Sequence, residues 1–204
     1  MYFYAARQPI LDKHKNLFAY ELLFRNSIDN VFPDVDADEA TTRMVEASNF
    51  NIDLNQFTAN KPAFINFTFE TLSKGYPETL ASTDVVIEIL ETVEPGEQLL
   101  TICEDLHKKG YTIALDDYIH QEAWSAFFPY IKIIKVDWQA VPIATIFKIK
   151  KAIAGYPHIQ LLAEKVETYE EYVWLKNAGI ELMQGYLFAK PGFQSLPMVD
   201  FSSY

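Results

Sequence analysis

The stretch YTIALDDYIH, residues 111–120, is a run of β-formers that ends on two adjacent carboxylates, Asp116 and Asp117. Side chains one position apart in a strand point to opposite faces. A buried strand that finishes on two like charges needs something at its end to tolerate them. What the neighbouring strands carry at the same place decides between the architectures open to this chain.

Working outward, apolar runs recur with helical patterns between most of them. MYFYAARQPIL (1–11) and LFAYELLFR (17–25) are separated only by DKHKN. So short a link predicts a hairpin, with the first two strands antiparallel. The acidic segment 34–50 then places Ala40, Met44 and Ala47 at helical spacing. From there the order is β then α. PAFINFTF (62–69), DVVIEIL (84–90), YTIALDDY, IKIIKVDW (131–138), HIQLLAEKV (158–166) and IELMQGYLF (180–188) read as strands. A short helix is expected near Glu70–Lys74. Residues 95–109 put Leu99, Cys103 and Leu106 on one face, with Pro95 near the start and Gly110 past the end. Residues 142–155 put Ile143, Ile146, Phe147 and Ile153 near one face. Thr168 and Glu171 form a capping box for a helix that stops before Gly179. The stretch IHQEAWSAFFPY (119–130) is poorly patterned, and the tail from Ala189 has no clear period.

Repeated βα units after a hairpin fit two architectures, an open doubly wound sheet or a closed barrel. The polar residues choose between them. Each apolar strand carries one in or just after its last half: Glu21, Asn66, Glu88, the Asp116–Asp117 pair, Lys135, Glu164 and Gln184. An open sheet would spread these along a wide edge. In a barrel the C-terminal ends of the strands converge on one mouth, where barrel active sites lie. The expected fold is therefore α/β, a TIM-like (β/α) barrel with one antiparallel strand from the N-terminal hairpin and some abbreviated outer helices.

Several carboxylates in one cavity repel, and without a counter-charge most would stay protonated. Lys135 alone cannot balance them. Carboxylate and amide oxygens without histidine or cysteine favour hard Mg²⁺ or Mn²⁺. Two such ions suit phosphodiester hydrolysis, because they clamp the phosphate and acidify the attacking water. Each residue also has a plainer reading. Glu21 could pair with Arg25, Asp117 could cap a turn, Lys135 could balance Asp137, and Gln184 before Gly185 could be turn chemistry. Glu88 resists such a reading, since VVIEIL offers no other polar residue.

The totals agree with one packed domain. Half of the 204 residues are hydrophobic and 15% are aromatic, enough for a sizeable core. No apolar run is long enough to span a bilayer, so no membrane partner is expected. A single cysteine, Cys103, excludes an internal disulfide framework. The N-terminus lacks the order of a secretory signal, and a cytoplasmic location is expected. A formal charge of −11 leaves no basic footprint for duplex nucleic acid.

These motifs together resemble the EAL domain family, the bacterial phosphodiesterases that open cyclic di-GMP. The resemblance runs from about Arg7 to Pro191. It is carried by RQPILDKHKNLFAYELLFR, with ELL where the family usually reads Glu-Ala-Leu, and by FINFTF, IEILE, ALDDY, IKVD, AEKVET and QGYLFAKP. It implies a two-metal site using Mg²⁺ or Mn²⁺. Glu21, Asn66, Glu88 and Asp116 would hold the first ion. Asp116 would bridge to a second, also held by Asp117 and Glu164. Lys135, Glu164 and Asp116 would carry the catalysis, with Lys135 at the water or phosphate. Gln8 and Arg25 would face the ligand, Gln184 and Glu167 would orient the site, and Glu91 would anchor the loop after Asp117. The implied activity is hydrolysis of cyclic di-GMP to linear pGpG. The alternative is a degenerate EAL module that binds cyclic di-GMP or a protein without turnover.

More narrowly, YELLFR, ILETVEP, IIKVDW and LLAEKVET resemble the EAL part of proteins in which an HDOD domain follows. That implies an EAL domain over residues 1–191, a tail or linker over 192–204, and either a domain excised from a protein in which an HDOD domain follows or a stand-alone version. The aromatic cluster Trp124, Phe127 and Phe128 reads first as packing against the barrel helices, and otherwise as a surface for that HDOD domain or for a second subunit in a homodimer. Two departures bear on activity. The family's glycine-rich FGTGYSSL loop is replaced by Tyr118-Ile119-His120-Gln121-Glu122, and the small residue of AEGVE is replaced by Lys165.

Overall fold

The computed structural model describes residues 2–25 and 54–197. The helical spacing of Ala40, Met44 and Ala47 lies outside the described residues. The chain opens as the expected hairpin, β1 (Tyr2–Asp12) and β2 (Leu17–Arg25). Asp12 closes the turn, its Oδ1 accepting from the backbone N–H groups of His14 (2.8 Å) and Asn16 (2.9 Å). Then follow α1 (Leu54–Phe57), β3 (Ala63–Phe67), α2 (Phe69–Ser73), β4 (Val85–Ile89), α3 (Glu97–Lys108) and β5 (Thr112–Leu115). A six-residue 3-10 turn, Glu122–Phe127, leads to β6 (Ile133–Asp137). The described residues continue with α4 (Ile143–Ala152), β7 (Gln160–Glu164), α5 (Tyr169–Asn177), β8 (Leu182–Met183) and β9 (Gly192–Pro197).

Strands β2 to β8 pair in parallel, each with the next. β1 closes the ring. It runs antiparallel to β2, with Gln8 opposite Glu21, and antiparallel to β8, with Leu11 opposite Met183. The result is the expected eight-strand barrel with one reversed strand. β9, beyond the boundary read at Pro191, pairs with the first half of β1, from Tyr2 opposite Pro197 to Arg7 opposite Gly192.

The barrel interior is layered. Ile10, Ala19, Phe64, Val86, Ala114, Ile133, Leu162 and Leu182 meet inside it, one from each strand, all nearly or fully buried. Side chains alternate along a strand, so the residue two positions further on faces the same interior. On the parallel strands those residues are Glu21, Asn66, Glu88, Asp116, Lys135, Glu164 and Gln184. On the reversed β1 the equivalent step runs backward, from Ile10 to Gln8. The polar residues read at the strand ends thus form one layer resting on an apolar plug.

The outward faces of the strands pack against the helices in a second, larger cluster. In α3, Leu99, Cys103 and Leu106 are buried as their spacing predicts. The Thr168–Glu171 capping box is present in α5. In α4 the expectation is corrected in part. Ile146, Ile149 and Ile153 are buried, whereas Ile143 is 46% and Phe147 57% exposed. The barrel accepts only the narrow stripe repeating every three to four residues, and Phe147 falls beside it. Between β5 and β6 the one helical segment among the described residues is the 3-10 turn, an abbreviated connection. Its Trp124 and Phe127, and Phe128 just after them, are buried against the barrel wall as packing residues.

Candidate metal centre

Lys135 stands at the middle of the polar layer. It is fully buried, and its Nζ lies 2.9 Å from Asp116 Oδ1, 3.0 Å from Glu164 Oε1 and 3.4 Å from Glu21 Oε1, and also contacts Glu88 Oε1. β6 supplies the lysine, and β2, β4, β5 and β7 supply the carboxylates. The plainer reading of Lys135 as the balance for Asp137 is overturned. Both face inward from β6, but Asp137 is bound to Lys165 instead.

Glu21 is held from its other side. Gln184 Nε2 donates to Glu21 Oε2 and to Gln8 Oε1 (3.2 Å), and Gln8 Nε2 donates to Ala189 O (3.4 Å). Gly185 makes this possible. A Cβ there would fall 2.1 Å from Val166 O and 2.2 Å from Val166 N. The chain passes that close because Val166 N donates to Gln184 O and Leu187 N donates to Val166 O, both at 3.0 Å. The turn chemistry suspected at this pair is real, and it is what aims Gln184 inward. Asn66 stands on β3 in register with Glu88.

The two adjacent aspartates reach one mouth because the strand stops. Asp116 stays in the ladder, its N–H donating to Ile89 O at 2.9 Å. Asp117 then takes a left-handed backbone, φ +37, which aspartate tolerates better than most residues. Oxygens of Asp116, Asp117 and Glu164 lie within 4.8 Å of one another.

Electrostatics follow from four carboxylates around one ammonium. Burial pushes the Glu88 carboxyl well above its ordinary range and Glu164 up to about 8, with neighbouring acids adding to the effect. Burial also works to raise Asp116, but its contact with Lys135 holds it below the usual carboxylate value. Desolvation opposes charge on Lys135, yet Glu164, Glu21, Glu88 and Asp116 together hold it well above the ordinary lysine range. Asp117 is raised, first by burial and then by Asp116.

One ammonium leaves the layer incompletely satisfied. Glu88 Oε2, Glu164 Oε2 and Gln184 Oε1 are buried without a hydrogen-bond partner among the described residues. Unpaired buried oxygens of this kind are costly and call for an ion or water. The donor set is all oxygen, so these residues fit hard divalent cations. His120, the nearest histidine in sequence, sits beside the Tyr118 hydroxyl at 3.2 Å and is not one of the grouped ligands.

The remaining expected residues fall around this centre. A cavity of about 310 Å³ opens beside Asp116 and Asp117, and Glu91, Tyr118 and Trp124 help to wall it. Glu91 makes no hydrogen bond or ion pair among the described residues. Glu167 is exposed beyond β7, and its backbone N–H donates to Glu171. Arg25 ends β2 opposite Tyr4, and its side chain lies outside the described residues. Asp137 is not among the residues expected at the site. Its signal is the alternation in IIKVD, which puts Lys135 and Asp137 on one face.

The EAL domain family profile matches residues 10–191. The chain is 38% identical over 190 residues to the cyclic di-GMP phosphodiesterase CdgJ of Vibrio cholerae, covering 92% of this chain and 44% of that protein. It spans about half the length of the curated relatives it matches first. Among solved structures, it is 27% identical to a standalone versatile EAL protein of Vibrio cholerae bound to c-di-GMP. The TM-score is 0.64, covering 98% of this chain and 96% of that one. It also shares its fold with Klebsiella pneumoniae BlrP1 in a manganese and cyclic di-GMP complex, at 24% identity and a TM-score of 0.74, covering 94% and 56% of the two chains.

Proposed function

The chain belongs to the EAL domain family, and from that premise we propose that it is a metal-dependent phosphodiesterase hydrolysing cyclic di-GMP to linear pGpG. The observation that carries this reading is the polar layer itself. Glu21, Glu88, Asp116 and Glu164 converge on Lys135 at the mouth of a barrel, with oxygens left over that have no partner among the described residues. Glu21, Asn66, Glu88 and Asp116 would hold one divalent cation, and Asp116, Asp117 and Glu164 a second, Mg²⁺ or Mn²⁺. Bound there, such ions clamp a phosphate and lower the pKa of an attacking water. Lys135 supplies positive charge at the floor of the site, aimed at the phosphate. Gln184 and Gln8 fix the direction of Glu21, and Arg25 stands at the β2 end for the ligand. Incubation with cyclic di-GMP and Mn²⁺ tests this. Linear product supports it, and its absence from both monomer and dimer overturns it.

A second reading has an observation of its own. After Asp117 the chain runs through Tyr118–Gln121 into a 3-10 turn, and Glu91, the expected anchor of that loop, has no partner among the described residues. This favours a module that binds cyclic di-GMP without turnover. Calorimetric binding with no pGpG formed would select it.

An HDOD domain beyond the EAL domain is part of the same proposal. The resemblance of YELLFR, ILETVEP, IIKVDW and LLAEKVET supports it. A homodimer is proposed on the exposed Ile143 and Phe147 of α4, and a lower solution mass for Phe147→Ser checks it. A cytoplasmic site of action goes with the proposed substrate. No helix among the described residues is long and apolar enough to cross a membrane.

A further inference from the structure

Lys165 follows Glu164 directly and has a left-handed backbone, φ +57, a shape that glycine and asparagine take more readily than lysine. That turn carries its side chain sideways to the neighbouring β6, where Nζ pairs with Asp137 Oδ2. The other oxygen of Asp137 is fixed, accepting from Gln139 N (2.9 Å) and Ala140 N (3.0 Å). Gln139 Nε2 in turn donates to Lys165 O at 3.0 Å. The segments leaving β6 and β7 are thus joined twice, at the rim of the Asp116–Asp117–Glu164 group.

The two partners are unequal. The Asp137 side chain is 11% exposed and the Lys165 side chain 59%. Asp137 is the anchor, and the lysine is the partner that can leave. Asp117 and Glu164 lie within electrostatic range of its ammonium. An ammonium resting on those carboxylates would oppose a divalent cation there, through like charge and by occupying the same oxygens.

We propose that Lys165 and Asp137 form a clasp that sets the cation affinity of the Asp116–Asp117–Glu164 group, by holding the Lys165 ammonium off its carboxylates. The proposal rests on the metal-dependent reading of that group. Lys165 is a positioning residue here, acting on the cation through where its charge is parked.

The test is a four-protein cycle read by Mn²⁺ calorimetry at low salt: wild type, Asp137→Asn, Lys165→Met and the double variant. Asp137→Asn keeps an oxygen for the two backbone N–H groups and cuts only the ion pair. Lys165→Met keeps the stem and removes the charge. Asp137→Asn is expected to weaken Mn²⁺ binding roughly threefold to fivefold more when Lys165 is present than when it is replaced, the scale of an exposed ion pair. That excess should shrink as NaCl is added. Equal weakening in both backgrounds overturns the clasp and leaves the metal centre standing. No Mn²⁺ binding by any of the four proteins overturns the metal-dependent reading, and the clasp with it.

Discussion

Lys135 Nζ lies 2.9 Å from Asp116 Oδ1, an ion pair formed between adjacent strands inside a closed barrel. Three more carboxylates, Glu21, Glu88 and Glu164, touch the same nitrogen. The lysine is the internal counter-charge of the metal-free protein. Removing one partner of a buried ionic group costs about 3–5 kcal/mol, because the others are left uncompensated. Lys135→Met should therefore lower the stability of the protein in EDTA by about that much in urea unfolding. Mn²⁺ should recover more stability in this variant than it adds to the wild type. Equal stability of the two proteins in EDTA would contradict the counter-charge role.

The raised carboxyls give a pH dependence with a definite sign. Glu164 is pushed up from 4.5 to about 8 and Glu88 is raised as well, so the folded protein binds protons that the unfolded chain releases. Stability from these groups is complete below about pH 4.5 and is lost as pH rises toward 8. Asp116 works oppositely, losing its contribution only as pH falls below the ordinary aspartate range. Melting temperature in EDTA should accordingly decline between pH 5 and 8, and Mn²⁺ should flatten the decline. A rise over that interval in EDTA would contradict the assignment.

Gly185 is the backbone support of Gln184. It has φ +154, and a Cβ would meet Val166 backbone atoms at 2.1 and 2.2 Å. Backbone cannot yield as a flexible side chain can, so Gly185→Ala must push β8 away from the segment after β7. The expected result is a loss of several kcal/mol in urea unfolding, in the upper range for single substitutions. A variant of wild-type stability would mean that the close approach to Val166 is not required.

Below the site, Phe64 belongs to the apolar plug, two residues before Asn66 on β3. Phe64→Ala removes a fully buried ring and should cost about 3–5 kcal/mol. Loss of less than about 1 kcal/mol in urea unfolding would argue against a packed interior at that level.

Much of this arrangement is legible in the sequence, because strand alternation is local. The step from Phe64 to Asn66, or from Ile133 to Lys135, can be read from either strand alone. The short DKHKN link likewise shows the reversed strand before any contact is known. What stays hidden depends on backbone turns and on partners far along the chain. Asp117 reaches the same mouth as Asp116 only through its positive φ, which alternation does not foresee. The direction of Lys165 is set by its own left-handed backbone and by Asp137, 28 residues earlier. β9 carries no period of its own and is defined by the open edge of β1.

If the carboxylate layer around Lys135 is a metal-dependent phosphodiester centre, product formation must need both the cation and Asp116. Chromatography of cyclic di-GMP incubated with the wild-type protein and with Asp116→Ala, each with Mn²⁺ and with EDTA, measures this. Linear pGpG is expected from the wild type with Mn²⁺ and from none of the other three mixtures. No pGpG from the wild type with Mn²⁺, or as much from Asp116→Ala, would contradict that requirement.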